Sequence, residues 1–303
     1  MSKTVSSKIA AGIVLYNPDI KLLKEDIDLI KNQVDKVCLF DNNSSNIKEI
    51  KEAFSNCKYI NLISENKNKG IAYGLNQLLN WADQNKYEWL LTLDQDSRCA
   101  SNLIEVYSEY LDQERIALIC PFIINNGKYS LKEYQELKKA PTTEVVDPID
   151  CITSACLTNV KIVKKIGGYT DKLFIDYVDT DLNCKVLANN YRILRANETY
   201  MIQQMGKGKK IKLFSFLHKL TKLNIFRRLK VVAIYTDQRL YYSARNSRYV
   251  RKNYKNHGFQ TSALFMLMFY SYFTLFYPIN RSRIKMWKSM MLLQIVFLKT
   301  INQ

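Results

Sequence analysis

A chain of 303 residues that is 47% hydrophobic and 12% aromatic can close a full apolar core, which excludes a disordered or fibrous protein. Its net charge of +17 sits at one end: residues 1–204 hold 25 Lys and Arg against 27 Asp and Glu, whereas residues 205–303 hold 20 against the single acid Asp237. Seven scattered cysteines without a C-x-x-C argue for reduced thiols over a disulfide framework or zinc site, and the two histidines, His218 and His257, lie in the basic part, which disfavours a histidine triad.

Met1 to Lys8 is short and polar and predicts no signal peptide, so the active region is expected to face the cytoplasm. Ile9 to Tyr16 is an apolar run of strand length that ends in Asn17-Pro18-Asp19, where proline stops the strand. Leu22, Leu23, Ile27, Ile30 and Val34 then fall near helical spacing. Val37 to Phe40 is a second strand and closes on Asp41-Asn42-Asn43-Ser44-Ser45, a cluster of turn formers. Strand, helix, strand is a βαβ beginning, and such sheets bind ligands beyond the carboxyl ends of their strands, where Tyr16, Asn17 and Asp41 stand. A third strand, Tyr59 to Ile63, leads through Asn66 to Ala72 into a helix from about Tyr73 to Gln84. The Gly70 turn at its start could offer N–H groups to a phosphate.

Trp89 to Leu93 is the next strand, and it runs into Asp94-Gln95-Asp96. Side chains alternate along extended chain, so Asp94 and Asp96 leave on one side, as a pair suited to a hard cation such as magnesium or manganese; the alternative is an ordinary acidic turn. Leu103 to Leu111 reads as a helix, Ile116 to Ile124 as a strand interrupted by Pro121, and Asn125 to Pro148 as irregular. Cys151 to Val160 is apolar, and Ser154 within it is expected to pack. Asp176, Asp179 and Asp181 precede a helix bearing Leu182, Val186 and Leu187, where carboxylates either cap the helix or serve as a base.

Five tracts in order, "VLYNPD" (Val14 to Asp19), "DNNSSN" (Asp41 to Asn46), "NKGIAYGLNQLL" (Asn68 to Leu79), "LTLDQDS" (Leu91 to Ser97) and "GGYTDKLFIDYVDTDLNCKV" (Gly167 to Val186), resemble the family 2 glycosyltransferases, within them the bacterial rhamnosyltransferase-like branch. The resemblance implies the α/β GT-A nucleotide-diphospho-sugar transferase fold, a Rossmann-like mixed sheet flanked by helices, over residues 1–206, followed by a basic, aromatic helical region for membrane association over 207–303. It implies an inverting, metal-dependent transferase that uses Mg2+ or Mn2+. Tyr16, Asn17 and Asp41 would line the nucleobase and ribose site, and Asn68, Gly70 and Asn76 would help hold the donor. For Asp41 the alternative is an Asx turn, and for Asn76 a helix surface position. Asp94 would contact the ribose or a metal-bound water, Asp96 would bind the metal, and Asp179 would be the general base, with Asp176 at the acceptor and Asp181 as cap or support. Related transferases often place a histidine where this chain has Gln203, whose amide oxygen is a neutral hard ligand. Tyr241 to Asn246 resembles a branch tract in which a basic residue, here Arg245, faces the donor diphosphate.

Phe214 to Tyr235 alternates apolar residues with Lys and Arg in a helical manner, after a basic loop at Lys207 to Lys212. Thr261 to Ile279 has no charge and meets the length for a membrane span. Its Ser, Thr and Tyr content, Pro278, and basic flanks on both sides favour an interfacial or re-entrant helix over a true span. With Met286 to Leu298 it makes a basic, apolar foot for an anionic membrane surface. These features together predict a peripheral or monotopic enzyme at the cytoplasmic face of the bacterial inner membrane. It would transfer L-rhamnose from dTDP-rhamnose to a lipid-linked oligosaccharide acceptor in O-antigen or capsule assembly, with galactofuranosyl or other hexosyl transfer as the nearest alternative. A non-enzymatic nucleic-acid binder working through the basic third is the alternative of another class; no helix-turn-helix, finger or RNA-binding signature supports it, and no nucleic-acid partner is expected.

Overall fold

The structure is a computed structural model and describes residues 8–125, 130–203, 208–221, 231–233 and 236–255, with single residues at 226, 229 and 271. The described residues fall into two compact units, 8–203 and 208–255. Residues 261–279 and 286–298, expected to form the membrane foot, lie outside the described residues.

The first unit is α/β. Strands β1 (Ile9–Leu15), β2 (Lys36–Asp41), β3 (Ile60–Ser64) and β4 (Trp89–Leu93) are parallel in the order β3-β2-β1-β4. The central strands read as unbroken apolar runs because both faces of a parallel sheet are covered. Three helices connect them: α1 (Ile20–Ile30), α2 (Ile47–Phe54) and α3 (Ile71–Gln84). Helix α1 starts where Asp19 accepts the Leu22 N–H at 3.1 Å, and it buries Leu23, Ile27 and Ile30. Gly74 lets α3 sit directly on the sheet, since a Cβ there would meet the Val14 methyls at 2.8 and 2.9 Å.

Beyond β4 the sheet becomes mixed. The short β5 (Arg98–Cys99), β6 (Ile116–Asn125), β7 (Thr142–Glu144), β8 (Cys156–Asn159) and β9 (Arg192–Gln203) complete it, in the order β4-β8-β6-β9-β5 with β7 also on β9. Strand β8 is antiparallel to β4 and β6, so β6 and β9 run with β4 and end at the same edge. Pro121 does not break β6: it pairs with Ala196 next to a register shift, a bulge that accommodates the missing donor. Helices α4 (Leu103–Ser108), α5 (Leu131–Glu136), α6 (Val160–Lys165) and α7 (Val178–Ala188) lie between these strands. Residues 125–148 are thus not wholly irregular: Ser130 and Glu133 form a capping box that starts α5.

In the second unit, β10 (Gly208–Lys210) pairs with β11 (Val231–Ala233), so part of the expected basic loop is a strand. Helix α8 (Lys212–Thr221) and helix α9 (Asp237–Tyr254) follow β10 and β11 in turn, and Thr236 caps α9.

Candidate active site

The carboxyl ends of β1 and β2 are knitted together by short polar side chains. Asn17, at a φ of 49°, gives its N–H to the Ser44 hydroxyl at 2.9 Å and accepts the Ser45 N–H on its side chain at 2.7 Å. Asp41 is buried and both its oxygens face the Ser44 N–H, at 3.2 and 3.3 Å, a bond to the N–H three residues on, one residue further than an Asx turn reaches. Tyr16 is exposed at the end of β1. Its backbone meets both ends of the Gln95 carboxamide: the N–H donates to Oε1 at 2.9 Å, and the carbonyl accepts from Nε2 at 3.3 Å.

Asn42 extends this network to the loop before α3. Its amide donates to Asn68 Oδ1 at 3.1 Å, and its Oδ1 accepts the Lys69 N–H at 2.9 Å, while Asn68 Oδ1 also accepts the Gly70 N–H at 2.9 Å. Asn68 and Gly70 therefore stand at the edge that carries Asp41. Asn76 faces another way. Its carboxamide donates to the Tyr169 carbonyl at 2.8 Å and to Asp171 at 2.6 Å, and accepts the Tyr169 N–H at 2.9 Å, so it clamps α3 to residues 169–171.

Asp94 and Asp96 follow the buried β4 directly, Asp94 half-buried and Asp96 exposed. The turn is braced from below: the Ser97 and Ser154 hydroxyls are in close contact, and Ser154 accepts the Asp94 N–H at 3.3 Å. Ser154 is buried, so this is a supporting role under the turn. Arg98 pairs with Ile202 in antiparallel register, which continued by one residue sets Gln203 opposite Ser97, beside the same turn. Among the described residues no three His, Cys, Asp or Glu side chains converge as a ready-made metal cluster. An exposed carboxylate at a strand end, with a second two residues away and an amide on the neighbouring strand, fits a magnesium- or manganese-type ion that takes its remaining ligands from water and a substrate diphosphate.

The second acidic turn is built on Gly70. The Phe174 carbonyl accepts the Ile71 N–H at 2.6 Å, and a Cβ on Gly70, whose φ is 90°, would lie 2.5 Å from that oxygen. Phe174, Asp176 and Tyr177 have φ of 65°, 63° and 62°, left-handed values that side chains resist. Tyr177 stands at the N-cap of α7 without a side-chain cap bond. None of the three carboxylates occupies the cap itself. Asp179 accepts the Thr180 N–H at 2.8 Å from inside the first turn. Asp181 is fully buried, accepts the Thr170 hydroxyl at 2.6 Å and lies 3.3 Å from the Lys185 ammonium. Burial raises the pKa of the half-buried Asp179, the charge of Asp176 adds to the rise, and the Thr180 N–H opposes it. Asn183 of α7 donates to the carbonyls of Pro148 and Cys151 at 2.7 and 2.6 Å, tying the helix to the loop that holds Ser154.

Arg245 lies on α9 in the second unit, with its guanidinium on the Asn246 carboxamide and 4.6 Å from the centre of the Tyr242 ring. Four residues that carry this geometry escaped sequence reasoning as site members: Asn42, Gln95, Ser97 and Phe174. Their adjacency to the acidic motifs was the only signal, because their partners are distant in sequence.

A parallel β3-β2-β1-β4 half joined to a mixed second half is the GT-A fold. Residues 11–165 match the family model for glycosyl transferase family 2, and the chain belongs to that family. It is 30% identical over 199 residues to dTDP-rhamnosyl transferase RfbF of Shigella flexneri, covering 63% of this chain and 66% of the relative, just under two thirds of the relative's length. The fold resembles that of GalNAc-T7 solved with UDP, GalNAc and Mn2+ (TM-score 0.53, 11% identity, 89% of this chain and 58% of that one). It also resembles S. aureus TarS 1–349 in complex with UDP (TM-score 0.51, 14% identity, 88% and 79%).

Proposed function

We infer that the chain is an inverting glycosyltransferase that moves L-rhamnose from dTDP-rhamnose onto a lipid-linked glycan acceptor in the synthesis of O-antigen, capsule or another cell-surface polysaccharide. The observation that carries the sugar is the 30% identity to a dTDP-rhamnosyl transferase. The chemistry is supported by two acidic turns tied to one sheet edge, one open to ligand and one recessed.

In this reading Tyr16, Asn17 and Asp41 border the nucleoside, Asn68 and Gly70 order the loop under the donor, and Asn76 acts at one remove by holding residues 169–171 to α3. Asp94 contacts the ribose or a water, while Asp96, with Gln203, would hold a magnesium or manganese ion. That ion, when bound, neutralises the charge on the departing diphosphate. Asp179 takes the proton of the acceptor hydroxyl as its oxygen attacks the anomeric carbon and the bond to the nucleoside diphosphate breaks on the opposite face, which inverts the centre. Asp176 orients the acceptor. A raised pKa suits Asp179 to this task, because a more basic carboxylate takes a proton more readily.

Residues 1–206 are proposed to carry catalysis and 207–303 to hold the enzyme peripherally or monotopically at the cytoplasmic face of the inner membrane. No described helix is long and apolar enough to cross a membrane. The test is donor hydrolysis and transfer with a panel of nucleotide sugars, including dTDP-rhamnose, UDP-galactofuranose and UDP-GlcNAc, each with magnesium, manganese or a chelator. Turnover of dTDP-rhamnose above the others, lost with chelator, is expected. Preference for a UDP-hexose would overturn the sugar, and full activity in chelator would overturn the metal.

A further inference from the structure

The basic unit carries an apolar ridge in the open. On α8, Leu213, Phe216 and Leu220 recur at i, i+3 and i+7 and so share one face; they are 53%, 64% and 70% exposed. The opposite side is where the helix packs: Phe214 is half-buried and stacks on Phe226 at 6.3 Å between ring centres. Lys212 and Lys219, both exposed, run along one border of the ridge, and the helix contains no acidic residue. Apolar residues scattered singly over a surface need no explanation, but three large ones aligned on one helix face, beside cations, mark a contact surface.

We propose that α8 is a lipid-contacting helix, lying in the plane of an anionic bilayer with Leu213, Phe216 and Leu220 at the acyl boundary and Lys212 and Lys219 among the headgroup phosphates. Charge complementarity selects this occupant. Residues 205–303 hold 20 Lys and Arg against one acid, and α9 contributes Arg239, Arg245, Arg248, Arg251 and Lys252 against Asp237 alone. Lysine stems beside an apolar ridge can lie along it while their ammonium groups reach the headgroups. Ten residues suffice to lie in an interface and are too few to span one. A nucleic acid would take the cations but leave the two leucines without a partner, because base stacking needs aromatic rings and only Phe216 has one. A second copy of the chain would bring strongly basic surfaces together.

This contact gives α8 a named part in the membrane attachment proposed above for residues 207–303, on which it rests, and involves none of the residues expected for the foot, 261–279 and 286–298. The test uses the full chain in vesicle flotation, with vesicles of phosphatidylethanolamine and phosphatidylglycerol against vesicles of phosphatidylcholine. The triple variant Leu213→Ser, Phe216→Ser, Leu220→Ser should lose about ten- to a hundredfold in partitioning to the anionic vesicles, with its melting temperature and donor hydrolysis in solution retained. Lys212→Gln with Lys219→Gln should lose less, and high salt should reproduce that smaller loss. Independently, Phe216→Trp should show a blue-shifted emission on addition of anionic vesicles, above the shift of the wild-type chain. Wild-type partitioning by the triple variant, or no added shift from Phe216→Trp, overturns the proposal. So does unchanged partitioning accompanied by a loss of self-association in sedimentation or of oligonucleotide binding, which would hand the ridge to another partner. If the wild-type chain turns over no nucleotide sugar while the triple variant still loses vesicle binding, the transferase reading fails and the lipid contact stands.

Discussion

Asp94 and Asp96 leave the end of a regular, wholly buried strand, and the turn that carries them is held by Gln95 on the Tyr16 backbone and by Ser97 on Ser154. Asp176, Asp179 and Asp181 belong to a segment in which three of the four residues from Phe174 to Tyr177 have left-handed φ, wedged against Gly70. Each such residue costs of order 1–3 kcal/mol and persists only where its surroundings over-determine it. The difference lies in what each turn does to its carboxylates. The strand end hands its pair to a turn closed by the Ser97 N–H on the Asp94 carbonyl at 3.3 Å, which leaves Asp96 exposed and Asp94 half-buried. The strained turn sets its carboxylates at unequal depth, Asp179 half-buried and Asp181 fully buried beside Lys185, which separates a group able to exchange a proton from one that fixes the helix.

That separation breaks most sharply at Asp179. Asp179→Asn keeps volume and removes the base, so transfer should fall by roughly two to four powers of ten while donor binding survives. Asp176→Asn should act more mildly, through acceptor KM, and Asp181→Asn through stability. Turnover and melting temperature measured on all three decide it; near-wild-type turnover in folded Asp179→Asn removes that residue from the chemistry. Wild-type activity should also fall on acidification, at a higher pH than a solvent-exposed aspartate would give, because burial raises the pKa of Asp179 and protonates the base sooner.

Gly70→Ala tests the wedge. Its Cβ would strike Phe174 and its φ of 90° is unfavourable for alanine, so a loss of about 2–4 kcal/mol is expected. Gly167→Ala shares the strained φ, at 91°, with nothing within 4 Å of its Cβ, and should lose only the backbone part, about 1 kcal/mol. Denaturation of both variants isolates the contact; equal losses would mean that Phe174 moves away freely. At the open turn, Asp96→Ala should leave stability near wild type and lower metal-dependent donor affinity about tenfold or more. Unchanged affinity with metal present would take Asp96 out of the metal site.

The central strands are legible because runs such as Ile9–Leu15 are apolar over strand length and stop at turn formers, as burial on both faces requires. Short elements are not: α2 and α6 span 8 and 6 residues, too few for helical periodicity to stand out against their surroundings. Within the site, the carboxylates stand out in sequence as acidic motifs at element ends, but the turn that carries Asp94 and Asp96 in place of extended chain, and the supports beneath it, do not. Gln95 meets Tyr16 across 79 positions, Ser154 meets Ser97 across 57, and Asn76 meets Tyr169 across 93, pairings that only the assembled sheet creates. Asp26 is a different case: its spacing from Leu22, Leu23 and Ile30 sets it within the apolar stripe of α1, but that its carboxylate is buried without a hydrogen-bond partner shows only in the assembled fold.

Asp26 gives the cleanest sign. It is a buried carboxylate behind the open turn, as Asp181 is behind the strained one, but Asp181 has Thr170 and Lys185 while neither oxygen of Asp26 has a hydrogen-bond partner. Burial pushes its pKa from 3.8 to about 6, with Arg98, 4.0 Å away, working against the rise and Asp96 adding to it. The folded state therefore binds more protons than the unfolded state between those values. Stability from this group is fully present below pH 3.8 and is lost as pH rises through about 6. Asp26→Asn removes that loss without changing shape, although its amide is buried without partners in turn, so the net gain above pH 7 should be about 1–2 kcal/mol. Urea denaturation of both proteins from pH 4 to 8 should show curves that coincide at the acid end, diverge up to about pH 6 and run parallel beyond. A constant offset across the range would mean that Asp26 is as well satisfied as Asp181, and that the two acidic turns rest on equally neutralised foundations.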